Sequence, residues 1–502
     1  MRATPDFASF AERYRAGESQ VVWTSLVADL ETPVSAFLKL ADGRPYSCLF
    51  ESVEGGATIG RYSFIALKPD VIWRCTDAQA EINRQARLDP GRFELLEGDP
   101  LATLRRLLEE SRVALPPELP PMACCLIGYM GYDTVRLMER IEDLNPDVLG
   151  LPHGLFIRPT VMAVFDRVED RVTVITPVWP REDMSASAAY DRARERLADV
   201  VADFARSLPY RRERVATEGG LPEPSSNMSR EAFHEMVRQG KEYIYAGDVF
   251  QVVLSQRFAL PFKLPPFSLY RALRRLNPSP FLFFLDLGSF SIVGSSPEIL
   301  VRLREDTVTI RPIAGTRPRG ATAEEDAALA EDLLSDPKEL AEHLMLLDLG
   351  RNDVGRVARV GSVKVTQRDV IEHYSHVMHI VSNVVGTVRP DLDAMDALVA
   401  GFPAGTVSGA PKVRAMEIIA ELEPERRGVY AGAIGYFGAS GSMDTCIALR
   451  TAVVKDGQMY VQAGGGIVAD SDPETEYQES RNKARALIRA AEEAVAFAAG
   501  GG

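Results

Sequence analysis

The C-terminal half of the chain carries strand-like runs that follow one another without an intervening helix, and this succession restricts the fold more than any other feature. The runs are Val249–Phe258, Phe281–Asp286, Ser291–Val293, Thr307–Ile310, His376–Val385, Tyr430–Phe437, Thr445–Val454 and Gln458–Ala463. Parallel neighbours need long crossovers, usually helical, whereas antiparallel neighbours need only a turn. The pattern therefore predicts an α+β fold of large, mostly antiparallel sheet layers flanked by helices, and disfavours a doubly wound parallel sheet.

Upstream, short strand-like runs (Val21–Leu26, Arg61–Leu67, Val161–Phe165, Arg171–Thr176) alternate with helical stretches at Leu101–Leu108 and Ala188–Phe204. Glu213–Ser229 is rich in glycine and proline and poor in apolar residues, which marks an exposed connection. The expected organisation is an N-terminal region 1–212, a linker 213–228 and a larger region 229–498. Ser229 is placed to cap a helix whose Phe233, Met236, Val237 and Ile244 recur at helical spacing, and Gly247 to end it.

Several function classes fall away on composition. No apolar run reaches membrane-spanning length, and Met1–Tyr14 carries charges where a signal peptide would be apolar. A cytoplasmic protein without a membrane partner is expected. A net charge of −14 disfavours nucleic acid. The five cysteines lack zinc-type pairs and read as reduced packing residues.

Candidate chemistry lies in acidic pairs and glycine-rich segments. In Pro337–Arg356, Leu340, Leu344 and Leu347 form a helical stripe, with Glu339 and Glu342 together on an adjoining face. In Asp472–Arg489, Glu476, Glu479 and Lys483 share a face. Like charges at i, i+3 repel unless something neutralises them. Two such pairs could supply hard oxygens to Mg²⁺, although a solvated helix with an ordinary Glu479–Lys483 ion pair has the same spacing. The segments 312–320, 403–412 and 463–466 could bind anions through backbone amides or serve only as turns. His373, His376 and His379 cannot converge on zinc from a regular strand, where His376 points opposite to the other two. Gln251, Gln256, Glu298 and Arg450 carry no signal alone.

Taken together, PIAGTRPRG (312–320), KELAEHLMLLDLGRND (338–353), MHIVSNV (378–384), GTVSGAPK (405–412), AGGGIVADSDPETEYQE (463–479) and NKA (482–484) occur in an order that resembles the chorismate-binding enzymes over residues 225–495. That family includes anthranilate, aminodeoxychorismate, isochorismate and salicylate synthases. The resemblance implies that Glu339, Glu342, Glu476 and Glu479 hold Mg²⁺ on the ring carboxylate of chorismate. It implies that Gly315, Thr316, Thr406, Tyr430, Arg450, the amides of Gly464, Gly465 and Gly466, and Lys483 seat the substrate. It assigns Glu298 as general acid for the departing 4-hydroxyl, with His379, Thr316 and Gln251 as further catalytic residues and His379 assisting pyruvate loss.

Departures from sister members set the expected reaction. Aminodeoxychorismate synthases typically have a lysine where this chain has Ala314, and isochorismate and salicylate synthases usually have a water-activating lysine where it has Gln251. The resemblance thus implies amination at C2 followed by pyruvate elimination, the committing step toward tryptophan. Ammonia would come from a separate glutamine amidotransferase subunit in a hetero-oligomer, a heterotetramer, since nothing resembles a glutaminase GxCxGHQ turn. Aminodeoxyisochorismate, isochorismate or salicylate synthesis, or an inactive tryptophan-sensing partner, are the competing readings. LFES (49–52), RYSFIA (61–66) and NPSPFLFF (277–284) resemble the segments of a tryptophan feedback pocket. This implies Phe50, Glu51, Ser52, Pro280, Phe281, Leu282, Phe283, Gly294, Ile434 and Tyr436 as inhibitor contacts, with Phe50 departing from the family's usual leucine.

Overall fold

The computed structural model describes residues 2–41, 43–54, 58–209, 221–374 and 377–499. Its frame is antiparallel: twenty-two strands join through hydrogen-bonded neighbours into one sheet system among the described residues, and helices pack on its faces. The α+β expectation holds.

The two halves of the chain share this sheet. Strand Ser47–Glu51 pairs with Phe281–Asp286, placing Phe50 opposite Phe283. Strand Cys125–Met130 pairs with Ala433–Gly438, placing Ile127 opposite Tyr436. Of the linker, residues 213–220 lie outside the described residues, while Ser225–Ser226 adds a short strand beside Phe258 and Ala259.

Local sequence explains the helix ends. The Ser229 hydroxyl accepts from the Ala232 amide at the start of helix Arg230–Ala246, and Gly247 closes it at φ 87°. Only glycine adopts that left-handed conformation without strain. Helix Ala186–Phe204 begins at Ser185 and buries Ala189, Ala193, Leu197, Val200 and Phe204, a helical stripe against the N-terminal strands. Burying each of the larger apolar side chains contributes about 1.5–3 kcal/mol.

Two sequence expectations need correction. The run Thr445–Val454 is two strands, Met443–Ile447 and Thr451–Lys455, because the chain breaks at Arg450, whose φ of 47° cannot continue a ladder. Tyr430 precedes its strand, which begins at Ala433. Helix Pro337–Val357 turns His343, Leu346, Leu347, Gly350 and Val354 inward, while Leu344 of the leucine stripe is 46% exposed. Gly350 draws the helix to that side, since a β-carbon there would lie 3.1 Å from Pro312. His376 lies outside the described residues.

Candidate active site

Helix Pro337–Val357 presents the first acidic pair. Its cap, Asp336, accepts from the amides of Lys338 and Glu339, which fixes Glu339 in the opening turn. Arg317 then bonds both Asp336 (2.9 Å) and Glu339 (3.2 Å). One turn on, Glu342 faces Gln251 Nε2 at 3.4 Å. Burial holds the Glu342 carboxyl above its ordinary range, and the charges of Glu339 and Glu479 push it the same way. The C-terminal helix Pro473–Ala499 presents the second pair. Glu476 accepts from Ser471 at 2.7 Å, and Glu479 pairs with Lys483 at 2.7 Å. The Glu476 carboxyl is also raised, first by burial and then by Glu479.

Glu479 is thus felt by a carboxylate of each helix, so the structure brings the two pairs into one electrostatic cluster. Among the described residues, no three His, Cys, Asp or Glu side chains converge as a closed metal cage. Mutually repelling carboxylates, three half-buried and Glu479 exposed, are nevertheless a donor set that fits Mg²⁺, which accepts a few hard oxygens and keeps positions for water and substrate.

Glycines between the pairs make room for them. A β-carbon on Gly465 would lie 2.9 Å from Glu476 Oε2, and one on Gly315 would lie 3.2 Å from Glu339 Oε2. Gly464–Gly466 belong to strand Gln458–Ile467, opposite Ser255, Leu254 and Val253. The Val253 amide turns away from this strand to the Ser408 carbonyl. By antiparallel alternation Leu254 then bonds to Gly465, and the amides of Gly464 and Gly466 turn outward. They emerge on an edge that the neighbouring strand Thr451–Lys455 covers only as far as Val461. Lys483 Nζ donates to the Gly464 carbonyl at 3.0 Å along the same edge.

The proton-handling groups lie on the adjoining strands. Glu298 is 6% exposed, and burial pushes its carboxyl up to about 8, although hydrogen bonds from Thr406 and the Ile313 amide pull it down. Thr406 Oγ1 lies 3.2 and 3.3 Å from its two oxygens. His379 stands opposite Thr316 across the ladder. Its Nδ1 donates to the Gly315 carbonyl at 2.9 Å, with Thr316 Oγ1 at 3.1 Å. That carbonyl fixes the proton on Nδ1 and leaves Nε2 as a base. Burial, with Arg450 and Lys483 adding to it, holds the imidazole below its ordinary pKa and keeps it neutral.

Arg450 carries no ion pair among the described residues, and burial lowers its pKa. A desolvated cation of this kind needs an anion to be stable. Tyr430 is buried, with the Arg427 guanidinium 5.5 Å from its ring centre, and is pushed up to about 12 by that burial.

The second set of sequence candidates gathers elsewhere. Phe50 stacks on Phe64 with centroids 5.0 Å apart and reaches Phe283 at 6.3 Å, while Tyr436 meets Phe64 edge-on at 5.7 Å. Gly294 stands opposite Phe283, where a β-carbon would come within 2.2 Å of the ring. Ile434 belongs to the same apolar layer, and Pro280 and Phe281 are half-buried at its edge. Leu282 is not part of this group: it points to the opposite layer with Phe284 because side chains alternate along a strand. The Glu51 carboxylate is engaged by Arg167 (2.9 Å), Arg274 (2.8 Å) and Tyr270 (2.6 Å). Half-buried Ser52 packs on Gly60, whose amide bonds its carbonyl.

Sequence reasoning missed Tyr374, whose ring meets His379 edge-on at 5.3 Å and whose hydroxyl senses both Glu298 and Arg450. Its place between the clustered histidines was the available signal. It also missed the Glu423–Arg427 pair, whose i,i+4 spacing was the available signal.

Known proteins share this chain's sequence and fold. Residues 54–489 match the model of the chorismate binding enzyme family. Anthranilate synthase component 1 of Cereibacter sphaeroides is 59% identical over 494 residues, covering 98% of each chain. That of Pseudomonas aeruginosa is 50% identical, covering 92% of this chain and 94% of its own. The crystal structure of anthranilate synthase component I from Streptococcus pneumoniae superposes with a TM-score of 0.75 at 37% identity, covering 92% of this chain and 99% of the other. The menaquinone-specific isochorismate synthase of Escherichia coli shares the fold, with a TM-score of 0.70 at 20% identity over 97% of this chain and all of its own.

Proposed function

The chain belongs to the chorismate-binding enzymes, and from that premise we propose that it converts chorismate to anthranilate in tryptophan biosynthesis. The nucleophile is ammonia, which attacks C2 of the ring as the 4-hydroxyl leaves. A second step expels pyruvate and makes the ring aromatic.

One observation carries this reading: a carboxyl buried so that it stays protonated near neutral pH, Glu298, shares Tyr374 as a neighbour with Arg450, a half-buried cation without an ion pair among the described residues. Hydroxide is a poor leaving group, so the departing 4-hydroxyl must receive a proton, and Glu298 supplies it. Arg450 and the outward amides of Gly464 and Gly466 receive substrate carboxylates. His379, neutral with its proton on Nδ1, uses Nε2 to take the C2 proton as pyruvate leaves. Gln251 flanks the attack position without a charge, and neither it nor Ala314 competes as a nucleophile or activates water.

Glu339, Glu342, Glu476 and Glu479 would hold Mg²⁺, which supplies positive charge for the ring carboxylate. The relatives are named component 1, in keeping with a second component that releases ammonia from glutamine. Among the described residues no helix is long and apolar enough to cross a membrane, in keeping with work in the cytoplasm beside such a partner. The cluster of Phe50, Phe283, Gly294 and Tyr436 serves as the wall of a tryptophan feedback site.

The test is to incubate the purified chain with chorismate, Mg²⁺ and ammonium at alkaline pH and weigh the product. Anthranilate is expected, with none formed when glutamine replaces ammonium. Isochorismate, salicylate or a stable aminated diene would each sink the reading.

A further inference from the structure

Arg427 is buried at 2% exposure and donates in three directions. It bonds Glu423 at 2.9 and 2.6 Å, the Val407 carbonyl at 2.7 Å and the Val253 carbonyl at 2.7 Å. Tyr132 packs against its guanidinium at 4.6 Å. Glu423 in turn accepts from the Ser255 amide and hydroxyl, both at 2.8 Å, and Gln462 donates to that hydroxyl at 2.9 Å.

The placement of these carbonyls gives the cluster its meaning. Strand Gln251–Pro261 pairs with Gly409–Ala410 only through Gln251 and Val252, so at Val253 the ladder stops and its carbonyl loses a strand partner. Val407 follows Thr406, the residue bonded to Glu298. One rigid guanidinium plane therefore joins the strand that carries Gln251 to the turn that carries Thr406. A buried ion pair contributes little net stability, because desolvation offsets its Coulomb attraction, and an apolar pair of equal volume often serves as well. What an apolar pair lacks is the two bonds to carbonyls.

We propose that Arg427 is a positioning residue for the reaction: by holding the Val253 and Val407 carbonyls together it sets Thr406 on Glu298 and fixes Gln251 against the same site. This rests on the assignment of Glu298 as the proton donor. The other ionisable groups facing Glu298 are Tyr374, beside it after strand Lys364–His373, and Asp353 of helix Pro337–Val357. Asp353 is paired with Lys412 at 2.8 Å.

The experiment measures kcat, KM for chorismate, the pH profile of kcat with saturating ammonium, and melting temperature. Arg427→Lys keeps the charge and loses the simultaneous hold on both carbonyls. Its kcat is expected to fall roughly 10- to 100-fold with little change in KM, as for misplacement of reacting groups. The alkaline limb belonging to Glu298 should move to higher pH, because Thr406 no longer pulls that carboxyl down. Thr406→Val should show the same displacement, and adding Arg427→Lys to it should displace the limb no further.

Arg427→Met combined with Glu423→Gln keeps an acceptor for Ser255 and removes the buried charges, and it provides the readout if Arg427→Lys does not fold. It should melt near the parent temperature yet remain slow, with the displaced limb. Recovery of full turnover in this double variant, or a limb that stays in place in all Arg427 variants, would overturn the proposal. A limb that survives Glu298→Gln would instead overturn the donor assignment, and the proposal with it.

Discussion

Gln251 occupies the space that a β-carbon on Gly466 would need, with Nε2 only 1.9 Å from that point. The obstacle is the end of a flexible side chain, so the fold can accommodate the substitution while the site cannot. Gly466→Ala is expected to destabilise the protein by about 1–3 kcal/mol, as overpacking does, and to cost far more in turnover by displacing Gln251 from Glu342. At Gly464 the added carbon would instead meet the Leu254 backbone oxygen at 2.1 Å. Gly464→Ala should therefore fail to fold stably. Melting curves and chorismate consumption of the two variants check the contrast; equal effects would show that Gln251 is not the distinguishing contact.

The raised pKa of Glu298 makes a statement about stability as well as rate. An unfolded glutamate titrates near 4.5 and this one near 8, so the folded state holds the proton through that interval. The group's favourable contribution is complete below pH 4.5 and is lost as pH rises through 8. Glu298→Gln cannot ionise, so it should lose turnover and yet, relative to the parent, gain stability above pH 8, by an amount on the order of a few kcal/mol. Thermal melts at pH 6 and pH 9 measure it. A variant no more resistant at pH 9 than the parent would show that the carboxyl is not buried as described.

What the sequence disclosed and what it hid divide by distance along the chain. Ser229 and Gly247 bracket a helix because both cap bonds are local, and Glu339 with Glu342, or Glu476 with Glu479, share a face because helical spacing puts them there. Thr406 reaches Glu298 across 108 positions, and Arg427 reaches Val253 across 174, so no periodicity marks either contact. Three leucines in register do not reveal which side of helix Pro337–Val357 the sheet will take, a matter settled by Gly350 against Pro312. Arg450 was read inside a continuous strand because its left-handed backbone leaves no trace in a run of apolar neighbours. The family's motifs supplied roles for Glu298, Arg450 and His379 that their local surroundings could not.

The acidic cluster predicts how metal acts on stability. With no cation present, Glu479 raises the carboxyls of both Glu342 and Glu476, after burial, and this repulsion opposes folding at neutral pH. A ligand of the folded state alone stabilises it by about 2.7 kcal/mol at a hundred times its Kd. Mg²⁺ should thus raise the parent's melting temperature, and Glu479→Gln or Glu339→Gln should abolish both that rise and turnover. In metal-free buffer Glu479→Gln should melt no lower than the parent, since removing a repulsive charge contributes a few tenths of a kcal/mol. A full Mg²⁺-induced shift in both variants would remove these residues from the metal site.

Feedback by tryptophan can be tested apart from chemistry, although the aromatic cluster adjoins the active site along strand Phe290–Ser296, where Gly294 stands opposite Thr451, and along strand Ala433–Gly438, which follows Tyr430. Phe50 pairs with Phe283, which pairs with Gly294, and the strand holding Gly294 ends at Ser296, whose hydroxyl accepts from the Glu298 amide at 3.4 Å. A ligand that wedges Phe50 from Phe283 would move the strand that leads to the proton donor, without touching Mg²⁺ or chorismate. Such a ligand must prefer the arrangement that binds chorismate poorly, and linkage requires chorismate to weaken its binding by the same factor. Ser52 adjoins this cluster in sequence and is half-buried, so Ser52→Phe places a ring where the inhibitor's polar end would lie. The variant is expected to keep near-parental uninhibited activity and to lose sensitivity to tryptophan by at least tenfold, a difference of about 1.4 kcal/mol in binding. Titrating tryptophan against anthranilate formation, with and without saturating chorismate, tests both halves. Unchanged inhibition of Ser52→Phe, or a parent protein indifferent to tryptophan, would end the regulatory reading and leave the catalytic one intact.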